Sequence, residues 1–208
     1  ADVSPQLNGV LLRNNQVIQI QVGDVLSFGK LNYGFRAYMA VFGGFQSESI
    51  MESRSMYKGI TNDFRINKGD AIQIEILDTI TAKTNSALKI NKDRFSTPTI
   101  EVYKGPEFDA LNTVQQAQLF KQDFTVSKNH SRMAYQLKES FTNNLQAIIT
   151  SLVMPGTVQL TPSGKLIILM RDCQTTGGYP RVLQLKETAI DLMAQKFTGS
   201  HIRFVSVD

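Results

Sequence analysis

Thr157-Val158-Gln159-Leu160-Thr161-Pro162-Ser163-Gly164-Lys165-Leu166-Ile167-Ile168-Leu169-Met170 decides the fold. Two apolar-rich runs flank Pro162-Ser163-Gly164, whose proline and glycine suit a turn in the positions they occupy. The segment therefore predicts a β-hairpin with strands over Thr157 to Thr161 and Lys165 to Met170. Leu166 to Met170 can be buried on both faces, and it runs directly into Arg171-Asp172-Cys173-Gln174-Thr175-Thr176-Gly177-Gly178-Tyr179-Pro180. That continuation offers a carboxylate, an amide, two hydroxyls and a di-glycine that permits close approach of a ligand. Either a rigid strand aims a polar loop at a ligand, or the strand closes in an ordinary Gly-Gly turn.

Working outward, Val17 to Val22 sets Ile18, Ile20 and Val22 against Gln19 and Gln21, and Ala71 to Ile76 sets Ile72, Ile74 and Ile76 against Gln73 and Glu75. This period of two predicts half-buried strands. Each run adjoins a Gly-Asp pair, Gly23-Asp24 or Gly69-Asp70, that favours a turn. Further strands are expected over Phe35 to Phe42, Thr99 to Tyr103, Arg181 to Leu185 and His201 to Val207. A Thr113/Gln116 capping box predicts a helix over Thr113 to Gln122. Leu185, Ala189, Leu192 and Met193 follow helical spacing up to Gly199, a plausible stop. The fold class is mainly β with a few short helices, arranged as a closed or nearly closed barrel that removes exposed strand edges. The polar stretch between Asp78 and Pro98 divides the chain into a first lobe over 1–80, a connection over 81–97 and a second lobe over 98–208.

At 208 residues and a formal charge of +4, with basic residues scattered along the chain, nucleic acid is not an expected partner. The longest apolar runs fall far short of the roughly 20 residues of a membrane helix, and no basic-then-apolar leader opens the sequence, so a soluble, cytoplasmic protein is expected. The single cysteine, Cys173, fits a reducing compartment and reads as a small inert side chain. The Asn129-His130-Ser131 sequon is discounted on the same ground. There is no P-loop, His-Glu-x-x-His, paired Cys-x-x-Cys or Gly-x-Ser-x-Gly pattern, so P-loop nucleotide binding and a metal site are not expected. His130 and His201 read as surface or structural residues.

Three clusters carry the candidate chemistry. Gly43-Gly44 precedes Ser53-Arg54-Ser55, where an arginine framed by hydroxyls can grip a carboxylate or phosphate, or simply be solvated. Ser131-Arg132-Met133 offers a second guanidinium. Gln159 on the hairpin is brought by antiparallel pairing toward the segment from Asp172 to Tyr179.

Taken in order, Gly23-Asp24-Val25-Leu26, the run from Gly34 to Gly44, Ser53-Arg54-Ser55, Gly105-Pro106-Glu107, Ser131-Arg132-Met133, Gly156-Thr157-Val158-Gln159 and Asp172 to Pro180 resemble the biotin-dependent carboxyltransferase family. That family includes the 5-oxoprolinase C subunit, the second subunit of allophanate hydrolase, and KipA. The resemblance implies a cyclophilin-like β-barrel of two lobes working within a complex. It implies ATP-dependent opening of 5-oxoproline to glutamate, or carboxyl transfer from carboxybiotin to urea-like amides, or a regulatory partner-binding module of the KipA type. The implied partners are a related-fold subunit (the 5-oxoprolinase B subunit or KipI type), a third subunit and a small-molecule amide. ATP would act at the level of the complex and biotin would be carried by another chain, because no Met-Lys-Met segment is present. On this basis Asp172, Gln174 and Gln159 are the catalytic candidates, with Asp172 orienting or deprotonating a nucleophile and the glutamines bonding an amide. The substrate-binding candidates are Ser53, Arg54, Ser55, Arg132, Thr175, Thr176, Gly177, Gly178 and Tyr179.

The departures fall in the arginine-bearing loops. The family usually has glycine where this chain has Glu52 and Ala134, threonine at Met56 and arginine at Gln136. Its N-terminal portion, with a Thr-Val-Gln-Asp-type motif, is expected to lie upstream of a Gly-Ala-Asp that survives as Ala1-Asp2.

Overall fold

A computed structural model describes residues 1–76 and 90–207. The chain divides into two compact units, one of Ala1–Arg36 with Leu88–Asp208 and the other of Ala37–Ala87. The expected connection over 81–97 lies partly outside the described residues; within its described part, a 3₁₀ turn spans Lys92–Phe95.

In the first unit, β1 (Pro5–Leu7), β2 (Val10–Leu11) and β3 (Leu26–Phe28) form a small antiparallel sheet in the order β2-β1-β3. The remaining strands and α-helices in chain order are β4 (Thr99–Lys104), α1 (Thr113–Lys121), β5 (Phe124–His130), β6 (Ala134–Ser140), β7 (Ser151–Leu152), β8 (Thr157–Leu160), β9 (Lys165–Leu169), β10 (Thr176–Gly177), β11 (Arg181–Leu185), α2 (Glu187–Met193) and β12 (His201–Ser206). Seven of these strands close a barrel in the order β11-β4-β12-β5-β6-β9-β8, with β8 returning to pair β11. Only the β12–β4 pairing within it is parallel.

Alternation along the strands fills the barrel. Ile100 and Val102, Phe124 and Val126, Tyr135 and Leu137, Leu166 and Ile168, and Ile202 and Phe204 are all fully buried. Each such side chain contributes about 1.5–3 kcal/mol over leaving it in water. The predicted hairpin is present, with Val158 opposite Ile168 and Leu160 opposite Leu166. Its turn is tied by Gly164 N–H donating to the Thr161 carbonyl at 2.9 Å and Lys165 N–H to Thr161 Oγ1 at 2.9 Å. Helix α2 buries Ala189, Ile190 and Met193 on one stripe.

Both predicted helices form, with altered ends. The capping box belongs to Asn112 and Gln115: each side-chain oxygen accepts the other's backbone N–H at 2.9 Å. Asparagine serves the cap as well as threonine does, and it lies one residue earlier. Helix α2 ends at Met193, and Gly199 instead belongs to the turn in which Ser200 N–H meets the Phe197 carbonyl at 2.9 Å, just before β12.

Three expected strands do not form. Val17 to Val22 carries no ladder, and its Val17, Ile20 and Val22 are exposed. Phe35 to Phe42 carries no ladder and runs from a bend at Phe35 to a turn at Phe42, and Ala71 to Ile76 makes one isolated bridge, Ile74 to Phe45. Alternation alone cannot form a strand where no neighbouring strand takes up its backbone groups. The Gly-Asp turns are nevertheless real and alike. Asp24 accepts Gln21 N–H at 2.7 Å, and Asp70 accepts Asn67 N–H at 2.6 Å. Conversely, no strand is expected over Ser127 to Leu137, where Arg132-Met133-Ala134-Tyr135 lies between polar neighbours, yet β5 and β6 run through this stretch. Phe124, Val126, Tyr135 and Leu137 carry the weaker period-two signal that the barrel uses. No helix among the described residues is long and apolar enough to cross a membrane.

Candidate functional site

The continuation of β9 is stitched to the loop before β6. Met170 N–H donates to Met133 O at 2.8 Å and Asp172 N–H to Arg132 O at 3.0 Å. These bonds set the two charged side chains side by side, and Arg132 Nε and Nη2 both reach Asp172 Oδ2 at 2.7 Å. Two predicted residues from different clusters are thus brought together as an ion pair. Both are open to solvent, so the pair is strongly screened. An anion arriving from solution can compete with Asp172 for Arg132.

The segment after Asp172 is pinned along much of its length. Cys173 N–H bonds Met170 O at 3.0 Å, Val153 N–H bonds Thr175 O at 3.0 Å, β10 pairs with β7, and Ile148 N–H bonds Gly178 O at 2.8 Å. Gln174, Thr175 and Thr176 remain exposed and Tyr179 partly so. Burial pushes the Cys173 thiol above its usual range, and the charge of Asp172 adds to this, so the thiolate is disfavoured.

Gln159 is buried at 2% exposure within β8, and its Nε2 donates a long bond of 3.4 Å to Tyr179 O. It lies directly beneath Gly177, where a Cβ would come within 2.5 Å of Gln159 Nε2 and 3.2 Å of Val153 Cγ1. Gly177 is therefore a close-approach glycine. Gly177→Ala is expected to cost about 1–2 kcal/mol by displacing a buried amide, and to loosen the β7–β10 pair. Urea midpoints, together with hydrogen exchange at Val153, check it; an unshifted midpoint contradicts it.

Behind this segment stands a pair of which one member, Glu107, closes the Gly105-Pro106-Glu107 motif and the other, Arg181, lies in no motif. Glu107 accepts from Arg181 Nε at 2.9 Å, from Nη2 at 2.7 Å and from Arg181 N–H at 2.8 Å, while Nη1 reaches Leu152 O at 2.9 Å. The pair is mostly shielded, at 18% and 22% side-chain exposure. Arg181 hydrogen bonding holds the Glu107 carboxyl below its usual range, and Glu107 raises Arg181 in turn. Leu152 belongs to β7, so this arginine braces the strand that holds β10. Glu107 and Arg181 are 74 positions apart, and no local pattern connects them.

Ser53, Arg54 and Ser55 belong to the unit of Ala37–Ala87. There, Ile50 and Ser53 exchange backbone bonds of 2.9 and 3.0 Å, Ser47 Oγ donates to Arg54 O at 2.6 Å, and the Arg54 guanidinium donates to the Ser47 carbonyl. Glu52 has φ 63 and Met51 φ 52, the left-handed region that favours glycine. The glycine expected at position 52 therefore has a backbone reason. Arg54 is turned to a carbonyl and Arg132 to a carboxylate, so neither presents a ready cradle for phosphate. Among the described residues, no three His, Cys, Asp or Glu side chains cluster as metal ligands.

The carboxyltransferase domain, subdomain A and B, matches residues 1–206, and the chain belongs to that family. It is 27% identical over 196 residues to the 5-oxoprolinase C subunit of Haemophilus influenzae, covering 91% of this chain and 62% of that protein. The chain thus spans less than two thirds of that relative's length. In fold it is similar to TTHA0988, with TM-score 0.76, 22% identity and coverage of 97% of this chain and 40% of that one. It is also similar in fold to K. lactis urea amidolyase, with TM-score 0.71 and 19% identity, over 99% of this chain and 14% of that one.

Proposed function

We propose that this chain is one member of a multi-subunit amidohydrolase that opens 5-oxoproline, or a related cyclic or ureido amide, with ATP used at the level of the complex. The likeness to the 5-oxoprolinase C subunit carries this reading, supported by the unbroken run from Asp172 to Pro180. The chemistry assigned to the chain is modest and local. A substrate carboxylate takes Arg132 from Asp172. The freed Asp172 carboxylate then accepts a proton from the attacking nucleophile, and Gln174, Thr175 and Thr176 on the exposed rim bond the amide. Gln159 holds the Gly177–Tyr179 bend from beneath. Ser53, Arg54 and Ser55 are proposed as a separate substrate contact. The partners are proposed to be a subunit of related fold and a third subunit, in the cytoplasm.

The test is reconstitution of the full-length protein with its partner subunits, ATP and 5-oxoproline, following glutamate release. Release is expected to require this protein, and Asp172→Asn is expected to lower kcat by at least about 100-fold, the scale of a lost general base. Full turnover by Asp172→Asn removes the assigned role. A regulatory, KipA-like reading is favoured by one observation: both candidate arginines are engaged internally. Tight partner binding without glutamate release selects it. Carboxyl transfer with carboxybiotin is the remaining alternative, and it requires a biotinyl chain as partner.

A further inference from the structure

The segment Gly34-Phe35-Arg36 is held by Gln195, just after α2. Gln195 Oε1 accepts Phe35 N–H at 2.8 Å and Arg36 N–H at 3.0 Å, and Gln195 Nε2 donates to Arg36 O at 3.3 Å. The Phe35 ring meets His130 edge-on at 5.4 Å, and His130 lies against Tyr135 at 5.0 Å. Arg36 spreads over the same rings, 5.7 Å from Phe35 and 5.4 Å from Tyr135, and donates to Ala194 O at 3.2 Å. His130 Nε2 sits 3.1 Å from Thr198 Oγ1, whereas its Nδ1 is buried without a partner.

We propose that His130 makes the docking of the Gly34–Arg36 strap proton-sensitive: the neutral imidazole keeps the strap down, and protonation releases it. The neutral ring can present Nδ1 as a bare acceptor, while a proton there is a buried donor with nothing to receive it. The new charge also faces Arg36. Among the described residues, the titratable and charged groups around the ring and the strap are few. Against the strap, the Ala1 ammonium donates to Arg36 O at 3.3 Å, and desolvation lowers its pKa. On the strap there is Arg36. On β6 there is the Tyr135 phenol, which donates to Lys196 O at 3.1 Å. After α2 there is Lys196, whose ammonium is turned to Phe95 O at 3.0 Å and Thr97 O at 2.5 Å. Among the described residues, neither His130 nor Arg36 is paired with a carboxylate. Attraction of an imidazolium to the Phe35 and Tyr135 rings is weakened because Arg36 already occupies them. Burial, and secondarily Arg36, hold the His130 pKa below its usual range, in keeping with this arrangement.

The direction follows from the lowered value. Docking is complete above the ordinary histidine pKa of about 6.5 and weakens as pH falls below it, until the docked pKa is passed. One proton is linked, so the docking equilibrium changes by at most about tenfold per pH unit. Hydrogen exchange at the Phe35 and Arg36 amides of the full-length protein, corrected for intrinsic rates, reads this between about pH 8 and about pH 5. Protection is expected to fall in the native protein and to stay level in His130→Phe, which keeps a ring and loses the proton. Constant protection in the native protein, or a fall that persists in His130→Phe, overturns the proposal. A magnetic-resonance titration placing the His130 pKa at or above its ordinary value also overturns it, without needing the variant to fold.

Discussion

Gly105→Ala is expected to destabilise the protein by about 3 kcal/mol or more, beyond the usual range for overpacking. A Cβ at this position would lie 2.1 Å from Arg181 O and 2.8 Å from the Val182 carbonyl carbon. Both atoms are backbone of β11, so no side chain can swing aside. Relief requires separating the Gly105 turn from β11, which breaks Gly105 N–H to Val182 O at 3.0 Å and Glu107 N–H to Arg181 O at 3.2 Å. The same movement withdraws Glu107 from Arg181, so a packing fault becomes an electrostatic one. Thermal midpoints of the full-length protein are the measurement. For a chain of this size, each kcal/mol shifts the midpoint by about 2–4 °C, so a shift below about 3 °C refutes the close approach.

Arg181→Met is expected to cost about 2–3 kcal/mol, because it leaves a largely shielded carboxylate with only one backbone donor of its former set. The loss should be pH-dependent in a defined sense. Glu107 is depressed in the folded state, so the pair stabilises above the ordinary glutamate pKa of about 4.3 and that contribution disappears as pH falls through the lower folded value. Native protein and Arg181→Met should therefore converge in stability in acid and diverge near neutrality. A constant gap across that range would mean the arginine acts through packing alone. Because Gly105 and Arg181 share contacts, the double variant should lose less than the sum of the two.

The fold is legible in the sequence wherever apolar residues alternate between clear turns. The hairpin from Thr157 to Leu169 and strands β4, β11 and β12 form with nearly the ends that their residues predict. Alternation misleads in both directions for one physical reason. Val17 to Val22 has strong alternation and no partner strand, while Phe124 to His130 and Ala134 to Ser140 have weak alternation and partners on both sides. Period two reports which side chains can share a face, not whether another strand is present to satisfy the backbone. The candidate site divides similarly. The chemistry of Asp172 to Tyr179 is visible in its residue types, but the capture of Asp172 by Arg132 and the bracing of Leu152 by Arg181 depend on contacts between distant segments.

By itself, the sequence determined which side chains alternate into a core, where the central hairpin turns, and which polar groups follow it, since these depend on neighbours only a few positions apart. Tertiary structure alone decided which strands pair, that Arg132 faces Asp172, that Glu107 meets Arg181, and that His130 is left with an unpartnered nitrogen beneath Phe35. Ion pairing, desolvation and strand pairing act through space, and barrel closure fixes the distances on which they depend.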